Sequence, residues 1–409
     1  MYKFFSIVLI VILFLYNLLG IGIANYQIFS IPVLQLSALI ICINFFYKFN
    51  GVISQIFSRQ FWFILLIFMI YIFAIFIKSM SNGYPLIRII QDAEIFYDII
   101  FIFGGIGVAK IISNKTQLKI LSTIFLSMAA WYLIIIIVGQ ELIQLVSPKI
   151  GGVYRSLSLF GAYPSHSFLM LGVPFFLFVQ KNNLKNKFLA FFIGVTTLLA
   201  QKRFIFVEAI IISIFYHKKI AMKFLQNLFV IIPLIILTMY TFEFLEIRTS
   251  KGNIFSIDLI TSTWQSAFVQ NEESGGVSWR FNLYEDSLSK IKNINDMLFG
   301  LGFGGSLTDL TDTSTGLIIR TPHVYILTVF LRSGLIGLLF TLYFFSNFFS
   351  KGIKICFASK NELSKKYNYF LLLSFVIAFF EAQTNPMLEY AHMAFPRYFL
   401  IGLLLGQKN

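Results

Sequence analysis

Seven cations set in or beside apolar sequence are the first candidates for chemistry: Arg155, Lys202, Arg203, Arg280, Arg320, Arg332 and Arg397. Arginine at mid-bilayer costs at least ~2.5–3.5 kcal/mol on insertion scales, so an embedded arginine usually lines a cavity. Several guanidiniums converging on one cavity suit a pyrophosphate or another polyanion, because their planar forks match phosphate oxygens. The competing reading is that each snorkels to an interface or sits in a loop. Lys202-Arg203 is the sharpest case, since AQKRFIFVEAI leaves almost no polar linker between two apolar runs. Glu208 lies five residues further on, inside the second run. An intramembrane carboxylate is either functional or the counter-charge of a nearby arginine.

His323 sits in TPHVYILTVFLRSGLIGLL, just before a short helical stretch. An imidazole with a pKa of ~6.5 can take a proton near neutral pH, although a loop histidine is often structural. His166 and His392 stand at the mouths of other apolar runs, and His217 abuts a lysine pair. The segment LFGLGFGGS places Gly300, Gly302 and Gly305 at the spacing of a nucleotide fingerprint. A fingerprint needs a strand before it and a helix after it, so a tight glycine turn is the better reading. Cys42 and Cys356 are too far apart in context to suggest a disulfide, and no Cys/His metal spacing exists.

These residues must be positioned by membrane helices. The chain is 58% hydrophobic and only 12% charged, with mean hydropathy +0.81, too few charges to cover a water-facing surface. Apolar runs expected to span fall at 4–23, 30–47, 61–77, 95–113, 120–139, 165–180, 188–201, 203–217, 224–242, 334–350, 368–384 and 394–407. Each can cross a hydrocarbon layer of ~30 Å, and only helices satisfy their own backbone there. The first run could pass for a signal peptide, but the many spans that follow favour an uncleaved helix.

The net charge of +14 is unevenly spread. Residues 243–320 hold six basic against ten acidic residues, net −4; the rest holds 26 against 8, net +18. That distribution argues against nucleic-acid binding. Basic clusters follow every second span: Lys48 and Arg59; Lys110, Lys115 and Lys119; Lys181, Lys185 and Lys187; Lys218, Lys219 and Lys223; Lys351, Lys354, Lys360, Lys365 and Lys366. The positive-inside rule then places both termini in the cytoplasm and residues 243–320 outside. The expected fold is an all-α integral membrane protein of about twelve transmembrane helices. Helices 1–9 occupy 1–242, one large extracytoplasmic loop 243–320, and a short helix plus the last three spans 321–409. That short helix, over 322–333, should break near Ser333-Gly334. Partial order is expected in the loop, around 281–299.

Four segments in this order resemble the bacterial O-antigen polymerases and ligases, polytopic glycosyltransferases of the inner membrane. They are YRSLSLFGAYPSHS (154–167), AQKRF (200–204), SWRFNLYEDSL with LFGLGFGGS (278–306), and TPHVYILTVFLRSGLIGLL (321–339). The sequence departs from the family pattern at Ser165, at Gln201-Lys202-Arg203-Phe204 and at Val324. The resemblance implies a donor oligosaccharide on undecaprenyl pyrophosphate, in the membrane lipid, with no metal or cofactor. It implies Arg203, Arg280 and Arg155 on the pyrophosphate and His323 as base or orienter of the acceptor hydroxyl. Lys202, Glu208, Arg320 and Arg397 would line the same substrate mouth. Flippase and chain-length-regulator proteins are the implied partners. A polymerase joins repeat units; a ligase transfers the glycan to lipid A–core. A secondary transporter with about twelve spans is the reading from another class.

Overall fold

The computed structural model describes residues 1–19, 27–28, 31–146, 165–180, 183–199, 277–311, 318–383, 388–389 and 391–407. Their regular structure is helical apart from a two-residue antiparallel pairing of Gln27–Ile28 with Ile31–Pro32 and an isolated bridge between Thr311 and Ile318, with irregular segments such as 300–310 and 319–324 between the helices. Among the described residues three helices are long and apolar enough to cross a membrane: Arg59–Ser81, Asn114–Ile134 within Asn114–Val146, and Tyr325–Ala358. A fourth arises if Val33–Lys48 and Asn50–Ile56, bent by 82°, count as one.

The Arg59–Ser81 helix presents the kind of surface that suits lipid. Phe68 and Ile75 face the bundle, while Phe63, Leu66, Ile70, Phe73 and Ile77 form an exposed stripe at three- and four-residue spacing. Such a contiguous apolar face in water would drive association. Ser58 caps the helix by accepting from the Phe61 amide at 3.3 Å, and Asn361 caps Glu362–Glu381 through the amides of Leu363 and Ser364.

Helical structure covers the described parts of the expected spans other than 203–217 and 224–242, which lie outside the described residues, but only three or four of these helices reach the length and apolarity needed to cross a membrane. The expected span at 95–113 is the second half of a longer, broken element. A helix begins at Leu86, runs to Tyr97, tightens into a 3₁₀ turn over Asp98–Ile100 and continues as Phe101–Ile111. Arg88, Gln91, Asp92 and Glu94 interrupt its apolar character. The expected break near Ser333-Gly334 is present: Gly334 has φ +64 inside Tyr325–Ala358. That helix also continues to Ala358, past Lys351 and Lys354 of the expected connection.

The tightest helix pair joins Phe101–Ile111 to Ala391–Leu405. A Cβ at Gly105 would lie 2.1 Å from the Phe399 carbonyl oxygen, and one at Gly402 would lie 2.1 Å from that of Ile102. One at Gly406 would meet Ile106 and Ala109. Small residues at this spacing let two backbones touch where no hydrophobic gain separates helix from lipid.

The polar connections sort to two ends. Lys78, Asp92, the segment 277–311 and the start of the kinked Tyr325–Ala358 helix share one end. At the other end Gln117 accepts from Tyr367 at 3.0 Å and from Gln407 at 3.2 Å, while Lys351 donates to the Ile56 carbonyl. Tyr2 lies there too, under Lys48 at 5.4 Å.

Gly402→Leu should lower the unfolding midpoint of the detergent-purified protein sharply, since overpacking costs ~1–3 kcal/mol even where side chains can move. Gly51→Ala, where a Cβ meets nothing within 4 Å, should leave the midpoint unchanged. Equal midpoints for both variants would show that this seam does not hold the bundle.

Candidate functional site

The site begins with a broken helix. At Gly334 the backbone leaves helical geometry, which frees carbonyls of the preceding turn. The glycine segment takes them up. The Leu301 amide donates to Leu331 O at 2.7 Å, and the Gly302 amide to Arg332 O at 3.1 Å. Tyr71 donates its hydroxyl proton to Ser333 O. Gly300 is needed for this approach: it has φ +75, and a Cβ there would lie 2.5 Å from the Arg332 carbonyl.

The same segment is then fixed by side chains. Lys78 donates to Gly300 O at 3.0 Å, and Ser79 Oγ accepts from the Phe303 amide at 2.7 Å. Arg332 Nη1 donates to Gly302 O at 3.1 Å and Gly305 O at 2.7 Å. Arg332 Nη2 stands 2.9 Å from Asp92 Oδ2. Asp92 also accepts from the Gly304 amide at 2.6 Å and from Arg320 Nη2 at 3.1 Å. One carboxylate thus joins two guanidiniums and a loop amide. Of the two arginines, Arg332 is 1% exposed and Arg320 34%. Arg320 is therefore the one able to reach a ligand from solvent.

Beyond Arg320 the chain runs through Thr321, Pro322 and His323 into the kinked helix. His323 has φ +57, a conformation rarely adopted without a Gly. Its Nδ1 lies 3.2 Å from Thr321 Oγ1. The helix that follows has no side-chain cap. Its first amides are met by the end of the Glu362–Glu381 helix: Tyr325 N donates to Ala382 O at 2.8 Å and Ile326 N to Gln383 Oε1 at 3.3 Å.

Glu389 completes the arrangement. It accepts from Thr328 at 3.0 Å through one oxygen, its Oε2 has no hydrogen-bond partner among the described residues, and the nearby hydroxyl of Thr321, which also meets His323, favours its charged form. Burial raises its carboxyl from the ordinary 4.5 to about 7, against the lowering pull of these hydroxyls and of Arg332. A carboxyl poised near neutrality, one hydroxyl from an imidazole, can accept or relay a proton.

Arg280 lies in the helix Val277–Ser289, on the face that carries buried Leu283 and Ser287. That helix is tied to the loop by Asp286, which accepts from the Asp309 amide at 2.8 Å, and by a Lys290–Asp309 ion pair. No hydrogen bond or ion pair among the described residues joins Arg280 to Asp92, Arg320 or Arg332. Arg397 is buried in a separate pair, donating to Glu381 Oε2 at 3.1 Å, with its guanidinium 5.6 Å from the Phe168 ring centroid. Arg155, Lys202, Arg203 and Glu208 lie outside the described residues. Among the described residues no cluster of three or more His, Cys, Asp or Glu side chains is arranged to hold a metal ion.

Sequence reasoning brought His323 and Arg320 to one place and missed the acids Asp92 and Glu389. The available signal was sparsity: only eight acidic residues lie outside 243–320, so each one near an apolar run needed a partner.

Arg332→Met should destabilise the detergent-purified protein by ~3–5 kcal/mol, because it strips a buried carboxylate of its closest cation. Arg320→Gln should cost no more than about 1 kcal/mol, as expected for a partly exposed pair. Similar losses in the two would contradict the division between a structural and a reachable arginine. The Glu389 shift sets a pH dependence. A raised folded pKa gives stability that is complete below about 4.5 and lost as pH rises through about 7. The unfolding midpoint should fall over that window, and Glu389→Gln should flatten the fall. An unchanged slope in the variant would place the titrating group elsewhere. No known family model matches this chain and no curated protein is significantly similar to it; what is shown is an α-helical chain in which three or four helices, among the described residues, are long and apolar enough to cross a membrane.

Proposed function

We propose that this chain is a polysaccharide polymerase that joins undecaprenyl-pyrophosphate-linked repeat units at the outer face of the bacterial inner membrane. In this reading it has about twelve spans, both termini are cytoplasmic and residues 243–320 are extracytoplasmic. The observation that carries it is the convergence of Arg320, His323, Asp92, Arg332 and Glu389 at the end that bears the acidic loop. The placement of Lys48, Lys110, Lys351 and Lys354 at the other end supports the orientation.

The proposed reaction needs little beyond these groups. An acceptor sugar hydroxyl attacks the anomeric carbon of the donor, and the bond from that carbon to the pyrophosphate oxygen breaks. The hydroxyl proton passes to His323, or through Thr321 to Glu389. Undecaprenyl pyrophosphate leaves with its negative charge met by Arg320 and Arg280, joined by Arg203 and Arg155 on the family resemblance. Fixed cations at a developing anion act most strongly where water is excluded, and an Asp92 shared between two arginines holds one of them in place. Lys202 and Glu208 complete the proposed substrate mouth, whereas Arg397, buried against Glu381, takes no part in it.

In a Gram-negative host, deleting the gene should leave lipid A–core capped with a single repeat unit. Long polymer stranded on undecaprenyl pyrophosphate, with bare lipid A–core, would assign the chain to ligation instead, and an unchanged glycan would reject both. Arg280→Ala and His323→Ala should each abolish chain elongation at unchanged membrane levels. Wild-type elongation in both would remove them from the site.

A further inference from the structure

We propose that the end of the bundle opposite the Asp92 cluster carries a binding pocket for the phosphate-bearing headgroup of an anionic phospholipid. The pocket follows from the 82° bend between Val33–Lys48 and Asn50–Ile56. After the bend the short helix runs across the end of the bundle instead of through it. It is pinned to the kinked helix by Lys351, which donates to the Ile56 carbonyl and lies 5.5 Å from the Phe57 ring centroid. A cavity of about 520 Å³ remains beside this strut. That volume falls in the range of small-molecule sites, roughly 300–1,000 Å³.

Its lining has two characters. Lys110, Lys351 and Lys354 supply cations from two different helices, and Gln55 adds a neutral polar group. Ile355 and Leu405 supply apolar walls. No carboxylate lines the cavity, and Lys354 is exposed with no ion-pair partner among the described residues. The surroundings offer little competition. Across 48–59, 110–119 and 351–366 the one acidic residue is Glu362, already paired with Lys366 at 2.7 Å. Ammonium groups above apolar walls match a phosphodiester above its glycerol and acyl stems. Free phosphate would make no use of those walls. Basic pockets between membrane helices recognise anionic headgroups in this way, with each lysine near the surface worth a factor of about five. The site shares no residue with the proposed catalytic cluster, so it stands or falls independently of that function.

Native mass spectrometry of the purified full chain, offered phosphatidylglycerol or phosphatidylcholine at equal concentration, tests this. Phosphatidylglycerol should be retained preferentially. Lys354→Glu should reduce that retention by more than about fivefold. Lys360→Glu, the same charge change on an exposed residue at this end outside the cavity lining, should leave it within twofold. Lys354 is exposed, and an unchanged unfolding midpoint in the variant would confirm that folding is intact. Equal retention of the two lipids, or equal losses in the two variants, would overturn the proposal. Displacement of phosphatidylglycerol by millimolar inorganic phosphate would overturn the lipid as occupant and leave a phosphate site.

Discussion

Arg332 is buried in an apolar bundle, and a guanidinium there must be both neutralised and hydrogen-bonded. Asp92 supplies the charge at 2.9 Å, and the carbonyls of Gly302 and Gly305 accept two of its protons. Much else is arranged so that these partners arrive. The helix breaks at Gly334, the broken turn offers carbonyls to Leu301 and Gly302, and Gly300, Gly302 and Gly304 adopt positive φ to come close enough. Lys78, Ser79 and Tyr71 then lock the loop to the neighbouring Arg59–Ser81 helix. A buried pair of this kind adds little net stability over an apolar substitute, but losing one partner is costly. Here it ties the glycine segment, the Leu86–Tyr97 helix and the kinked helix together at one point.

The pair also sets the position of everything reachable. Asp92 holds Arg320 as well as Arg332, and Arg320 begins the short segment that carries Thr321 and His323. Glu389 reaches that segment from the helix pair on the other side. Phe101–Ile111, which follows the Asp92-bearing helix, packs through the glycine seam of Gly105, Gly402 and Gly406 against Ala391–Leu405, the helix that follows Glu389. The lysine-rich end works differently. There the groups face outwards, carry few counter-charges and suit a charged surface more than a reaction.

The helical membrane architecture was legible because lipid imposes it. Apolar runs of spanning length admit few alternatives, and the break near Ser333-Gly334 was marked by a small polar residue beside a glycine inside such a run. The LFGLGFGGS segment was also legible as a turn, since its glycines lacked the strand and helix of a nucleotide loop. The start of the broken helix at Leu86 was not, because Arg88, Asp92 and Glu94 dilute the apolar signal that marks a span. Asp92 and Glu389 escaped for a related reason. Positive charge carries topological information and draws the eye to arginines, whereas a lone carboxylate gains meaning only from the cation folded against it. Arg332 was visible as an embedded cation, but its role depends on a residue 240 positions earlier in the chain.

The Asp92–Arg332 pair clamps the glycine loop to the kinked helix. Amide hydrogen exchange of the detergent-solubilised protein, followed by mass spectrometry over 298–306, tests it most directly. Wild type should show slow exchange there, because Leu301, Gly302, Phe303 and Gly304 all donate to fixed acceptors. Asp92→Asn should accelerate exchange in that segment while Arg59–Ser81 and Ala391–Leu405 keep their protection. Unchanged slow exchange at 298–306 in the variant would contradict the account, since the loop would then be held without the pair.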